Sequence, residues 1–169
     1  VNSENLFDEL TSKYLSVIRQ FNNIDQNKLN QLIKQIKNTK NIYIIGVHYS
    51  SLPAKHLVLG LQDLGINTYF AYDYMQASHL YNTIHEDDLL IYFSIEGNQN
   101  NVSRFFDLTN ASKNTYIITL NPKPKLLIEN TLILPGYTLS KQSIVDLQSI
   151  VVIFVELLLN MFHNTLKED

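Results

Sequence analysis

The first part of the chain carries apolar residues at steps of three and four positions, which is the spacing of one helix face. One such series follows Ser3, a predicted N-cap, and a second follows Asp25. The members of the two series are Leu6, Leu10, Tyr14, Val17 and Phe21, and then Leu29, Leu32, Ile33 and Ile36. The pattern therefore predicts two helices within residues 1–38.

Beyond residue 41 the pattern changes to short, continuous apolar runs, which indicate buried strands. These runs read NIYIIG, NTYFAY, DLLIYFS, NTYIITL and NTLILP. The predicted helices among them read LPAKHLVLGLQDLG, DYMQASHLYNTI and NQNNVSRFFDLTNAS, and a long closing helix is predicted from Tyr137 to Leu166. Strands that alternate with helices predict an α/β fold, here a three-layer α/β/α sandwich with a five-stranded parallel sheet over residues 41–169. We expect residues 1–169 to form a single domain with two extra N-terminal helices.

Composition narrows the class of protein. With 169 residues, 45% hydrophobic and 17% charged, the chain fits a soluble globular protein with its own core. A net charge of −3 argues against direct binding to nucleic acid, which needs a basic face. There is no cysteine, and the histidines have no metal-ligand spacing. We therefore expect no metal and no cofactor.

The sequence also bears on the protein's location. Acidic residues lie among the first ten positions, where a secretory signal would need an apolar segment. The most apolar segment, Ser143 to Phe162, contains Asp146 and Glu156 and is predicted to be a buried helix, not a membrane span. We expect a cytoplasmic protein without a membrane partner. The chain begins with valine, which indicates that residues have been removed from its front.

A polar turn, GVHYSSLP, follows the first predicted strand. Gly46 allows the backbone to turn sharply, and Ser50 and Ser51 lie at a predicted helix start. Free N–H groups and hydroxyls at such a place favour an anion, although Ser51 could equally cap its own helix. In parallel sheets, ligands bind outside the carboxyl ends of the strands, so this turn is a candidate site.

A second polar turn, SIEGNQNN, follows the third predicted strand. It offers the side chains of Ser94, Asn98 and Gln99 beside Gly97, ahead of a predicted helix. Each turn alone is a weak signal. If the first and third strands are neighbours in the sheet, however, the two turns lie side by side and form one site.

The order of elements, with Gly-x-x-x-Ser after the first strand and Ser-x-x-Gly after the third, resembles a sugar isomerase (SIS) domain. More narrowly, it resembles the effector domain of MurR/RpiR-family transcriptional regulators, over nearly the whole chain. The resemblance implies a five-stranded α/β/α sandwich that binds a phosphosugar and usually forms a homodimer. It also implies a preceding helix-turn-helix domain that binds DNA, which is absent from this chain. The ligand-binding residues implied by the two turns are Gly46, His48, Ser50, Ser51, Ser94, Glu96, Gly97 and Gln99.

The two turns depart from the family pattern. The first usually reads Gly-x-Gly-x-Ser, and His48 stands where its second glycine is expected. The second usually reads Ser-x-Ser-Gly-x-Thr-x-Glu, and here Glu96, Gln99 and Asn101 replace the second serine, the threonine and the glutamate. A carboxylate and an amide thus take the place of two hydroxyls that would meet the phosphate.

The charge of Glu96 is the more serious departure, because two unit charges about 4 Å apart repel by about 4 kcal/mol at an effective dielectric of about 20. That corresponds to roughly three decades of affinity. A phosphosugar then fits only if Glu96 turns outward, takes up a proton or pairs with a cation. Otherwise the ligand is a neutral or amino sugar, or the site is vestigial and the domain only dimerises. His48 could bind the ligand or pair with Glu96.

The sequence is interpreted as a phosphosugar-sensing and dimerising effector domain, with a sugar phosphate or amino sugar as ligand and DNA reached only through the absent upstream domain. The alternative is an isomerase-like enzyme with Glu96 as base and His48 as acid. Further catalytic motifs of the enzymes are not found in the sequence, so we expect no enzyme activity. The apolar faces of the first and last helices could form the dimer interface or simply belong to the core.

Overall fold

A computed structural model of the protein describes residues 3–97, 114–125 and 128–168. The helices in these ranges are α1 Ser3–Arg19, α2 Gln26–Asn38, α3 Ser51–Asp63, α4 Tyr74–Tyr81, α5 Tyr137–Gln142 and α6 Ser149–Lys167. The strands are β1 Ile42–Gly46, β2 Thr68–Ala71, β3 Leu89–Phe93, β4 Thr115–Thr119 and β5 Thr131–Ile133. Single 3-10 turns occupy Gln20–Asn23 and His48–Ser50.

The five strands form one sheet in the order β2-β1-β3-β4-β5, and all neighbouring pairs are parallel. Helices lie on both sides of the sheet, so the predicted α/β class and parallel five-stranded sheet are confirmed. The chain leaves β1 in one direction to form β2 and crosses back past β1 to form β3. This reversal creates a crevice between the carboxyl ends of β1 and β3.

Alternate residues of each central strand face opposite sides of the sheet. On β1, Ile42 and Ile44 pack in the larger core with α2, α3 and α6, whereas Tyr43 and Ile45 pack in a smaller core with α4. All five residues of β1 are buried. Burial on both faces explains why the strands read as continuous apolar runs and not as alternating ones.

Two predicted helix caps are confirmed. The Asp25 carboxylate accepts a hydrogen bond from the Lys28 N–H at the start of α2, and the Asp73 carboxylate accepts one from the Gln76 N–H at the start of α4. These short-range signals fixed the helix starts because both bonding partners lie within one turn of the chain.

The prediction of one long closing helix is wrong. Helix α5 ends at Gln142, and α6 begins only at Ser149. In between, the Ser140 hydroxyl accepts a hydrogen bond from the Leu147 N–H and stabilises the break, while Ile144 is fully exposed. The break allows α5 to lie at the carboxyl edge of the sheet and α6 to pack on its face. The helix predicted from NQNNVSRFFDLTNAS lies outside the described residues.

Helix α6 packs along α3, and the two helices run in the same direction. His56 and Glu156 lie 3.7 Å apart, and Gly60 lies against Leu159 one turn further along both helices. Helix α6 is long and apolar enough to cross a membrane, but the core helix of a soluble protein can have the same length and composition. Six of its side chains are buried in the protein, in agreement with the predicted core helix.

The turn after β1 has a tightly constrained backbone. A Cβ atom at Gly46 would lie 2.2 Å from the Ser50 carbonyl oxygen and 2.7 Å from the Ala54 Cβ. His48 has φ 56°, in the left-handed region that favours glycine. The resembled family usually has glycine at this position. Histidine with this φ destabilises the turn relative to glycine.

We expect Gly46→Ala to lower the free energy of unfolding by about 2–3 kcal/mol, because backbone atoms at the contact cannot move aside cheaply. Urea denaturation measures it. Gly65→Ala is the control: its site is open and only its φ of 79° is unfavourable, so we expect a loss of about 1 kcal/mol. A smaller loss at Gly46 than at Gly65 would contradict this packing.

We expect His48→Gly to raise the free energy of unfolding by about 0.5–1 kcal/mol, because glycine adopts a positive φ without strain. The same substitution at His79, an exposed residue of α4, should lower this free energy by about 0.5 kcal/mol through loss of helix propensity. Thermal or urea denaturation measures both changes in the free energy of unfolding. Changes of opposite sign would identify His48 as the strained position, and changes of the same sign would reject that strain.

Candidate functional site

The two polar turns lie next to each other. Strands β1 and β3 are paired in parallel, and Gly46 at the end of β1 is in register with Phe93 at the end of β3. The turns therefore leave the sheet at adjacent points of the same edge, in the crevice where the chain direction reverses. The adjacency that the site prediction required is present.

The first turn uses much of its own hydrogen-bonding capacity. The Ser50 N–H donates to the Val47 carbonyl, and the Ser51 hydroxyl donates to the His48 carbonyl at 2.5 Å. Ser51 begins α3, and the Ser50 hydroxyl makes no capping bond to that helix. Ser50 thus keeps a hydroxyl available to a ligand, whereas the Ser51 hydroxyl proton is engaged in the turn. His48 is exposed, and its ring lies 4.5 Å from the Tyr49 ring.

The second turn is held against the end of β4. The Thr119 hydroxyl donates to the Ile95 carbonyl at 2.9 Å, and the Asn121 side-chain amide donates to the Glu96 carbonyl at 2.8 Å. Within the turn, the Gly97 N–H donates to the Ser94 hydroxyl oxygen at 3.0 Å. Ser94 is buried, and its hydroxyl proton stays available for donation to a ligand.

The Glu96 carboxylate is held by two residues of α5. The Tyr137 hydroxyl donates to Oε2 at 2.8 Å, and the Lys141 ammonium lies 2.6 Å from Oε1. Of the two possibilities for His48, the pairing with Glu96 is not seen: among the residues that the structure describes, α5 supplies the partners of this carboxylate. Pairing with a cation was one of the conditions under which an anionic ligand fits.

The ion pair keeps Lys141 charged. The hydrogen bond to Glu96, and after it the hydrogen bond to Tyr137, raise the pKa of the Lys141 ammonium above its ordinary 10.5. Since the folded pKa is the higher one, the stabilisation is fully present at neutral pH and is lost only as the pH rises through that raised value. The Lys141 side chain is 55% exposed and that of Glu96 33%, so solvent screens the pair.

The described residues wall a cleft between the turns with a cavity volume of about 80 Å³. Its polar lining comes from His48, Tyr49, Ser50, Tyr92, Ser94, Glu96 and Asp146. Burial raises the pKa of Tyr92 far above its usual range, and the neighbouring Tyr74 raises it further, so this hydroxyl stays neutral. The cavity is smaller than the roughly 300–1,000 Å³ typical of ligand pockets.

The structure thus brings Gly46, His48, Ser50, Ser51, Ser94, Glu96 and Gly97 to one edge of the sheet. Gln99 lies outside the described residues. No group of three metal-ligating side chains is present in ranges 3–97, 114–125 and 128–168.

Sequence reasoning missed Tyr137, Lys141 and Asp146. A usable signal existed for two of them: Tyr137 and Lys141 are four residues apart, on one face of a helix that starts just after β5. This start lies at the same carboxyl edge as the two turns.

The sequence matches no protein-family model and no curated protein. Several solved structures of other proteins, however, have a fold similar to that of this chain. The NanR protein of Vibrio vulnificus, in complex with ManNAc-6P, has a TM-score of 0.79 and 18% identity over 96% of this chain. This chain spans 64% of the NanR chain.

Two further structures cover most of both chains. The sugar isomerase domain of an RpiR transcription factor from Sphaerobacter thermophilus has a TM-score of 0.77 and 16% identity over 94% of this chain and 89% of that one. A Methanococcus jannaschii protein inferred to be a 3-hexulose-6-phosphate isomerase has a TM-score of 0.67 and 22% identity over 96% and 92%. Regulators and isomerase-like proteins therefore share this architecture, and the chain has the fold of a sugar isomerase domain.

Proposed function

We propose that the chain is the ligand-sensing and dimerising effector domain of an RpiR-type transcriptional regulator. One observation carries the proposal: two turns with available serine hydroxyls, Ser50 and Ser94, meet at the crevice where an α/β sheet binds ligands. The ligand is a sugar derivative, either a sugar phosphate or an amino sugar. The complex of NanR with ManNAc-6P supports this ligand class, since NanR has the same fold.

The regulatory part of the proposal concerns residues beyond this chain. A single domain of residues 1–169 senses the ligand in the cytoplasm, and an upstream helix-turn-helix domain binds DNA. Ligand binding shifts the relative placement of two protomers and so changes the spacing of the DNA-binding domains. The acidic net charge of −3 fits a domain that leaves contact with DNA to another part of the protein.

An isomerase is the second candidate, because Glu96 and His48 line the same cleft and an isomerase-like protein shares the fold. Aldose–ketose isomerisation needs a base that reaches a substrate carbon. The Glu96 carboxylate is occupied by Tyr137 and Lys141, which favours the sensor over the enzyme. The small cavity supports a third possibility, a domain that retains only dimerisation.

Dimerisation is supported by exposed apolar side chains on the N-terminal half of α1. Phe7 is 71% exposed and Leu10 is 43% exposed, although the apolar face of α1 was a candidate for the core. The other end of α1 packs inward, where Val17 is buried. We propose that a second copy of the chain covers the exposed part.

We expect calorimetric titration of wild-type protein with a panel of sugar phosphates and amino sugars to reveal a ligand, and Ser94→Ala to weaken it about tenfold through loss of a hydrogen bond. Ser78→Ala on α4, away from the cleft, is the matched control. Wild-type and Ser94→Ala protein that both fail to bind any of the panel would favour a scaffold. Turnover of a bound sugar phosphate would instead establish the enzyme.

We expect the double variant Phe7→Asp, Leu10→Asp to be monomeric and the wild type dimeric in light scattering at equal concentration, because buried carboxylates oppose association. Ile144→Asp, at a fully exposed residue outside α1, should leave the mass unchanged. A wild-type monomer, or a double variant that still dimerises, would reject this interface.

A further inference from the structure

The cleft between the two turns is poor in positive charge. Its described lining includes the carboxylates of Glu96 and Asp146 but no lysine or arginine. The start of α3 adds few free donors, because the Ser50 and Ser51 N–H groups bond within the turn and Pro53 has none. Among the residues that the structure describes, a cation for an anionic ligand would have to come from outside this lining.

In the described part of the chain, Lys141 is a cation that lies next to the cleft. Its ammonium lies 2.6 Å from Oε1 of Glu96, and Glu96 itself lines the cleft. The Lys141 side chain is 55% exposed, and its four-carbon stem has several rotatable bonds. A rotation of this side chain would exchange Glu96 for another anionic partner, and Glu96 would still have the hydrogen bond from Tyr137.

The hydroxyls of the cleft also suit an anion. The Ser94 oxygen already accepts a bond from the Gly97 N–H, so its proton is directed to another acceptor. Ser50 makes no capping bond to α3 and can donate in the same way. Phosphate oxygens accept such bonds, whereas an ammonium group only donates and cannot use these protons. The protons of both hydroxyls are therefore available to the oxygens of an anionic group.

We propose that Lys141 determines whether this cleft accepts an anionic sugar derivative, and that Glu96 is an internal competitor for its ammonium group. In the ligand-free protein the Lys141 ammonium group pairs with Glu96. When an anionic group binds between Ser50 and Ser94, the ammonium group pairs with that group instead. The inference rests on the proposed function, because it assigns the specificity of the same cleft. This competition makes binding of a phosphorylated sugar weaker than it would be in a cleft without the carboxylate.

The test uses inorganic phosphate and glucosamine as anionic and cationic probes, with binding followed by the amide NMR signals of both turns. We expect Glu96→Gln to bind phosphate about tenfold tighter and Lys141→Gln about tenfold weaker than wild type. In the double variant the gain from Glu96→Gln should largely vanish, because a competitor for Lys141 has no effect when the lysine is absent. Lys55→Gln, which removes an exposed charge on α3, should bind like wild type.

Several results would overturn the proposal. If wild-type protein binds phosphate in the cleft and Glu96→Gln binds it no tighter, the competition is refuted while the proposed sensor stands. If Glu96→Gln raises the phosphate affinity equally in the presence and absence of Lys141, Glu96 acts by simple charge repulsion and not by competition. Binding of glucosamine that Glu96→Gln abolishes would reverse the ligand class. Absence of phosphate binding in all variants would refute the proposal, and the sensor fails with it only if the sugar panel is also unbound. Thermal denaturation of each variant checks that it is folded.

Discussion

The parallel pairing of β1 with β3 is the constraint on which the rest of the structure depends. β1 forms its hydrogen bonds with β2 on one side and β3 on the other, so the chain must reverse direction across it. The reversal leaves a crevice between the carboxyl ends of β1 and β3. Because Gly46 is in register with Phe93, the two polar turns enter this crevice at the same level. Without that register Ser50 and Ser94 would not share a cleft.

The close approach of the first turn to the sheet follows from the same geometry. The backbone at Gly46 passes so near the start of α3 that a Cβ atom has no room. Two residues later the backbone bends again, and His48 has the positive φ at this bend. A residue retained in a conformation that costs it energy is often functional, and the position of this one at the cleft agrees with such a role.

The negative charge of Glu96 is offset by residues that are distant in the sequence. Judged within its own turn, the carboxylate opposes a phosphate. In the folded protein it bonds to Tyr137 and Lys141, more than forty positions along the chain, and the ammonium offsets its charge. The second turn is also anchored to the end of β4, because Thr119 and Asn121 donate hydrogen bonds to its carbonyl groups. The cleft therefore combines a hydrogen-bonded turn with a partly exposed ion pair at its edge.

The sequence by itself determined the strands, most helices and two caps, because these depend on burial patterns and on bonds within one turn of chain, as at Asp25 and Asp73. It also identified the two turns as a candidate site. Only the tertiary structure decided that the closing segment breaks after Gln142 and that Lys141 reaches Glu96. The physical reason is that the break depends on where each half packs against the sheet. An ion pair between residues so far apart in sequence likewise depends on the path of the whole chain, which no local pattern encodes.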